Sequence, residues 1–149
     1  IIVEACTKLG VPLKVVGNGP ELENLKKIAG KNVEFVGEVK DEELPELYAN
    51  AKALIVASED EDFGITSIEA QAAGTPVIAF NGGGFKESVV NGETGLLIDE
   101  TDAKTLEKTI RKFDVTKWNK QRIQSNAKNF SKEIFIKNVK NYLKKVVGQ

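Results

Sequence analysis

Two glutamates with seven residues between them, Glu61 and Glu69, bracket Asp62-Phe63-Gly64-Ile65-Thr66-Ser67-Ile68 and place carboxylate chemistry at the start of a helix. Ala53 to Ala57 reads as a strand, an acidic Gly-containing loop follows it, and Gly74 with Pro76 marks the end of the helix. Glu69 falls in the second turn, so its side chain leans toward the N-terminal end, where backbone N–H groups lack partners. Glu61 lies in the loop before that end. The amides of Gly64, Ile65 and Thr66 can hold an anion such as a diphosphate, while the two carboxylates accept hydrogen bonds from hydroxyl groups. Phosphate plus polyol is the chemistry of a nucleotide sugar. Ile65, Ile68, Ala70, Ala72 and Ala73 surround Glu69, which predicts a partly desolvated carboxylate in need of a partner. A plainer reading of the same residues makes Glu61 ordinary loop solvation and Glu69 an exposed acid favoured by the helix dipole.

The elements that must position these groups follow from hydrophobic periodicity. A first helix ends at Gly10, and Leu13-Lys14-Val15-Val16 is a strand closed by the turn Gly17-Asn18-Gly19-Pro20. Glu21 to Ala29 is a helix with Leu22, Leu25 and Ile28 on one face. Val33-Glu34-Phe35-Val36 is a second strand ended by Gly37, and Asp41 is expected to cap a helix carrying Leu44, Leu47 and Tyr48. Leu54–Ala57, Val77–Phe80 and Gly95–Ile98 are further strands, and Asp102 opens a helix with Leu106 and Ile110. Strand and helix alternating at this spacing predict an α/β fold, an open parallel β-sheet flanked by helices. One domain spans 1–149, with its core at about 11–114. Two lysine-rich helices follow, at about 116–129 and 132–147. Phe135, Val139, Tyr142, Leu143 and Val146 of the last helix are expected to face inward; the sharper reading is a helix that docks on a second domain.

Composition removes many functions. Lys plus Arg total 21 against 22 Asp plus Glu, a net charge of −1 that gives no bulk attraction for nucleic acid or anionic membrane. Cys6 is the one cysteine, which rules out an internal disulfide and fits a reducing, cytoplasmic compartment. There is no histidine, so neither the usual zinc ligand sets nor a Ser-His-Asp or Cys-His system can be built. No apolar run is long enough to span a bilayer, which predicts a water-soluble chain. With no Met and an opening that falls within a helical pattern, Ile1 to Ala5, the sequence reads as a segment of a longer protein.

Several glycine-rich loops fall at the carboxyl ends of the strands, where open parallel sheets bind ligands: Gly17 and Gly19, Gly64, and Gly82-Gly83-Gly84. Each also suits a tight turn. Gly17 and Gly19 begin a dinucleotide fingerprint, but Pro20 and Glu23 break it, so an NAD site is weakly supported. Glu59-Asp60-Glu61-Asp62 offers oxygen ligands to a divalent cation, yet consecutive loop residues rarely converge on one ion, and no metal is expected.

Glu61 and Glu69 with Phe63-Gly64 between them resemble the paired-glutamate motif of the retaining GT-B glycosyltransferases, the large group 1 or family 4 class. Six more segments fall in that family's order and spacing: Val16–Pro20, Val33–Gly37, Leu47–Ala51, Gly74–Ala79, Gly83–Glu87 and Asn91–Leu97. The resemblance covers about residues 11 to 100 and implies the C-terminal, Rossmann-like, nucleotide-sugar-binding half of a two-domain enzyme. It implies that Glu69 binds the ribose hydroxyls and that Glu61, the residue nearest the chemistry, meets the donor sugar near its 3-hydroxyl. It further places Gly64, Ile65 and Thr66 on the diphosphate and sugar with Phe63 beside them, Gly17 and Gly19 near the nucleotide, and Val36 along the base. UDP- or GDP-linked hexoses, mannose or glucose among them, are the implied donors, with no other cofactor. The implied partner is an N-terminal acceptor domain of the same chain, and the full-length enzyme would work in the cytoplasm or peripherally at the inner membrane face. An Arg and a Lys that the family places just upstream of the first helix are missing here, as is the acceptor domain, so this segment alone is expected to bind donor weakly and not to catalyse transfer. Asp62 stands where the family usually has a small residue. The competing reading is a non-catalytic Rossmann-like module that binds a nucleotide, or a protein through its basic C-terminal helices.

Overall fold

The computed structural model describes residues 1 to 148. Its elements in chain order are α1 (Ile2–Leu9), β1 (Leu13–Val16), α2 (Leu22–Ile28), β2 (Val33–Gly37), α3 (Leu44–Asn50), β3 (Leu54–Val56) and α4 (Ile65–Ala73). There follow β4 (Val77–Phe80), α5 (Phe85–Ser88), β5 (Gly95–Ile98), α6 (Ala103–Lys112), α7 (Lys120–Lys128) and α8 (Lys132–Val147). All strand pairings are parallel, as the alternation of strands and helices predicts.

The one continuous sheet expected from sequence is instead two. β1 pairs with β2, and β3, β4 and β5 form a second sheet with β4 at its centre. No strand among the described residues bridges β1 and β3, so each keeps an unpaired edge. Helix α1 holds the halves side by side without a backbone ladder. Ala5 is buried with Ile78, Ile98 and Leu106 against the larger sheet, while Asn32 Nδ2 at the head of β2 donates to the carbonyls of Cys6 and Val11 at 2.9 and 2.6 Å. The thiol of Cys6 is buried, and that burial pushes its pKa up.

The core lies on both faces of β4, because successive side chains of a strand point to opposite sides. Val77 and Ala79 pack with Ala70, Phe85 and Val89 on one face. Ile78 turns to the other, against Ala5, Ile98 and Leu106. A strand covered on both faces reads as a continuous apolar run, which is why Val77-Ile78-Ala79-Phe80 is so legible in the sequence.

Two helix boundaries are settled by side-chain caps and a third is not. Asp102 caps α6 as expected, accepting from the amides of Lys104 and Thr105 at 2.8 and 3.0 Å. The hydrogen bonds from Thr105 hold its carboxyl below the usual carboxylate range. Asp41 does not cap α3: the helix begins at Leu44 with Pro45 in its first turn, where a missing N–H is no loss. The helix expected from 116 is a 3₁₀ turn over Val115–Lys117 followed by α7, because the Asn119 side chain accepts from Arg122 N–H at 2.9 Å and starts a new helix.

The last helix departs most from expectation. Phe135, Val139, Tyr142, Leu143 and Val146 do not face inward: Phe135 is 65% and Tyr142 67% exposed, and none of the residues of α8 is buried. An apolar stripe that covers nothing contributes nothing to the stability of this domain. Phe135→Ser is therefore expected to change the unfolding free energy by no more than about 0.5 kcal/mol in urea titration of this chain; a loss near 3 kcal/mol would mean the stripe is covered.

Candidate functional site

The loop after β3 and the N-terminus of α4 form the site, and glycine makes the join. Gly64 precedes α4 with φ 73° and ψ 50°, a left-handed conformation that a side chain would strain. It is also buried: a Cβ there would lie 2.8 Å from the Phe85 ring. Glu61 folds onto this turn, its Oε1 accepting Gly64 N–H at 3.0 Å while its carbonyl accepts Gly84 N–H at 2.8 Å. The glycine loop after β4 thus lies directly against the backbone of Glu61 and Phe63, with no room for a Cβ at Gly83 or Gly84.

This corrects one expectation. Of the three amides predicted to meet an anion, that of Gly64 is occupied by Glu61; those of Ile65 and Thr66 have no partner among the described residues. Ile65 is 62% exposed and Phe63 44%, so both line the open side of the helix start. Phe63 also meets Phe130 edge to face, the ring centroids 6.0 Å apart. Thr66 is exposed.

Glu69 is also exposed, not desolvated by the residues around it. Helix α4 turns Ser67, Ala70 and Gln71 into the core, which leaves Ile65 and Glu69 on the outer face. Its partner is Tyr48, whose hydroxyl donates to Glu69 Oε2 at 3.1 Å. Sequence reading places Tyr48 only on an apolar helix face, since nothing in its spacing points across to α4. Burial, then the nearby Glu69 charge and its hydrogen bond, push the Tyr48 pKa up from 10.0 to about 12. The folded-state pKa is raised, so the stabilisation is complete below the ordinary value near 10 and is lost as pH climbs through about 12. Stability is expected to fall over that window, and to fall less in Tyr48→Phe; thermal melts at pH 9, 10 and 11 check this.

Beneath the site runs a buried polar network that periodicity could not reveal. Ser67 Oγ donates to the Gly64 carbonyl and lies 2.7 Å from Ser88 Oγ. Gln71 Nε2 and Asn126 Nδ2 both donate to the Ser88 carbonyl, and Asn126 reaches Gln71 Oε1 at 2.8 Å. Ser67, Gln71 and Ser88 are wholly buried with their partners in place, so the start of α4 is tied rigidly to α5 and α7.

Gly17, Gly19 and Val36 stand at the carboxyl ends of β1 and β2. Gly17 has φ 105° and donates to the Gly37 carbonyl at 2.7 Å, which brings the loops after β1 and β2 together. A Cβ at Gly17 or Gly19 would meet nothing within 4 Å, so both border open space. No hydrogen bond among the described residues joins these three to either glutamate; Tyr48 makes the link between the β2 side and α4.

Residues 2–130 match the family model described as glycosyl transferases group 1, a span that runs from α1 through the whole of this site. The chain belongs to the group 1 glycosyltransferases. Over 102 residues this glycosyltransferase domain is 40% identical to the GDP-mannose-dependent alpha-(1-6)-phosphatidylinositol monomannoside mannosyltransferase of Mycobacterium tuberculosis, covering 60% of this chain and 26% of that enzyme. An uncharacterised glycosyltransferase of Methanocaldococcus jannaschii is 27% identical over 137 residues, 89% of this chain and 39% of its own. In structure the domain superposes on sucrose-phosphate synthase of Thermosynechococcus elongatus with a TM-score of 0.80 at 30% identity, covering 99% of this chain and 42% of that one. The chain spans less than half the length of each of these relatives. Among the described residues no helix is long and apolar enough to cross a membrane.

Proposed function

We propose that this domain binds the nucleotide-diphosphate hexose of a retaining glycosyltransferase, and that the sugar is transferred to an acceptor held by an N-terminal domain of the full-length protein. The observation that carries this reading is the start of α4, where two unpartnered amides lie between a carboxylate folded over the helix end and a second carboxylate one turn further along. Free helix-start amides suit a diphosphate, and the flanking carboxylates suit hydroxyl groups on either side of it. Glu69 takes the ribose, Glu61 the donor sugar near its 3-hydroxyl, and Ile65 and Thr66 the diphosphate. Gly17 and Gly19 border the nucleotide, with Val36 along the base and Phe63 beside the sugar. The GDP-mannose dependence of the mycobacterial relative supports a nucleotide-sugar donor of the GDP or UDP class.

In the proposed reaction the acceptor hydroxyl attacks the anomeric carbon from the face that the diphosphate leaves. The new C–O bond forms as the old one breaks, and the acceptor proton passes to a leaving-group oxygen. Helix amides stabilise the charge that develops on the diphosphate, so no protein base and no metal is required of this domain. The uncovered stripe of α8, Phe135 to Val146, supports a docked neighbour, which we assign to the acceptor domain. The full-length enzyme then acts in the cytoplasm, peripherally at the inner membrane face where its acceptor is a lipid.

A panel of UDP, GDP and ADP with their hexose conjugates, read by protein NMR so that millimolar affinities register, tests the donor site. One base family is expected to shift the amides of Ile65 and Thr66. Shifts confined to α8, or none at millimolar ligand, would remove the reading.

A further inference from the structure

Tyr48 belongs to α3, the helix after β2, yet its hydroxyl crosses to α4 and ends on Glu69 Oε2 at 3.1 Å. The residue is anchored on two other sides. Its carbonyl accepts from Thr75 Oγ1 at 2.5 Å, and its ring packs against the cluster of Ala70, Val77, Ala79, Phe85 and Val89. Glu69, by contrast, is an exposed side chain with no other hydrogen-bond partner among the described residues. A free glutamate gives up rotamer freedom when a ligand fixes it, and a hydrogen bond already in place removes part of that cost before the ligand arrives. Tyr48 occupies one of the roughly four lone-pair positions of the carboxylate and leaves the rest open.

We infer that Tyr48 is a positioning residue, whose hydroxyl holds the Glu69 carboxylate in the orientation that receives two adjacent ribose hydroxyls and so enforces the choice of ribonucleotide over 2′-deoxyribonucleotide. This rests on the assignment of Glu69 to the ribose. Under it, α3 takes part in ligand choice without touching the ligand, through one oxygen atom. Phenylalanine keeps the ring and its packing and deletes that oxygen alone.

The test measures NMR affinities of the 149-residue chain for UDP, GDP, dUDP and dGDP, with inorganic pyrophosphate as a ligand that has no ribose. The unaltered chain is expected to prefer one ribonucleotide over its 2′-deoxy form. Tyr48→Phe should reduce that preference by about threefold to tenfold, the range of one ordinary hydrogen bond at a site open to water, while pyrophosphate affinity stays within about twofold. In a Glu69→Ala background the same substitution should add nothing, because the group it positions is gone. A preference unchanged in Tyr48→Phe, or an equal loss for every ligand including pyrophosphate, overturns the role of Tyr48 and leaves the donor site standing. No ribose preference in the unaltered chain overturns the assignment of Glu69 and this inference with it.

Discussion

Glu69→Ala is expected to weaken binding of the cognate nucleoside diphosphate by about a hundredfold while leaving the fold intact. Two charge-assisted hydrogen bonds to ribose hydroxyls would be lost, together worth about 3 kcal/mol at a site partly open to water. The cost to stability should stay within about 1 kcal/mol, because the exposed carboxylate makes one hydrogen bond, to Tyr48, and fills no core space. Calorimetry of binding and a urea titration separate the two effects. Removing the carboxylate also removes two of the causes that raise the Tyr48 pKa, so the phenol should titrate closer to its ordinary value. Undiminished affinity in Glu69→Ala would take the ribose role away from this residue.

The second large effect is expected from Phe85→Ala, which should destabilise the domain by about 3–5 kcal/mol. Phe85 is among the largest wholly buried side chains, and it packs with Val77, Ala79 and Ala70 on one face of β4. Its loss leaves a void directly beneath Gly64, whose missing Cβ is what allows the ring so close. Against a total stability of about 5–15 kcal/mol for a domain, the expected loss corresponds to a drop in Tm of about 10 °C. Nucleotide affinity should fall as well, since the turn that presents Ile65 and Thr66 rests on that ring. A variant that melts within 2 °C of the unaltered chain would mean that Phe85 supports neither the core nor the turn.

The two glutamates, the glycine that begins α4 and the alternation of strands with helices are all legible in the chain. Each is a local signal: a period of two or of 3.6, a stop at Gly74 and Pro76, a cap at Asp102. Less legible are matters of facing. The apolar residues around Glu69 suggest desolvation, but α4 presents a narrow stripe of Ser67, Ala70 and Gln71 to the core, and Glu69 lies on the side away from it. The apolar stripe of α8 suggests burial, yet it is the exposed face. Periodicity shows that a helix has an apolar side and says nothing of what covers it.

Local order therefore follows largely from the chain: which segments are strands, where helices such as α4 and α6 start and stop, and that carboxylates flank one helix start, although the starts of α3 and α7 do not. Contacts between segments distant in sequence do not follow from any local pattern. The Tyr48–Glu69 hydrogen bond spans 21 residues, the Gln71–Asn126 bond 55, and the division into two sheets depends on which strand edges meet. Propensity and periodicity act through neighbours along the backbone, whereas side-chain partners at such separations are chosen by how helices pack on the strands, which becomes definite only when the whole chain is in place.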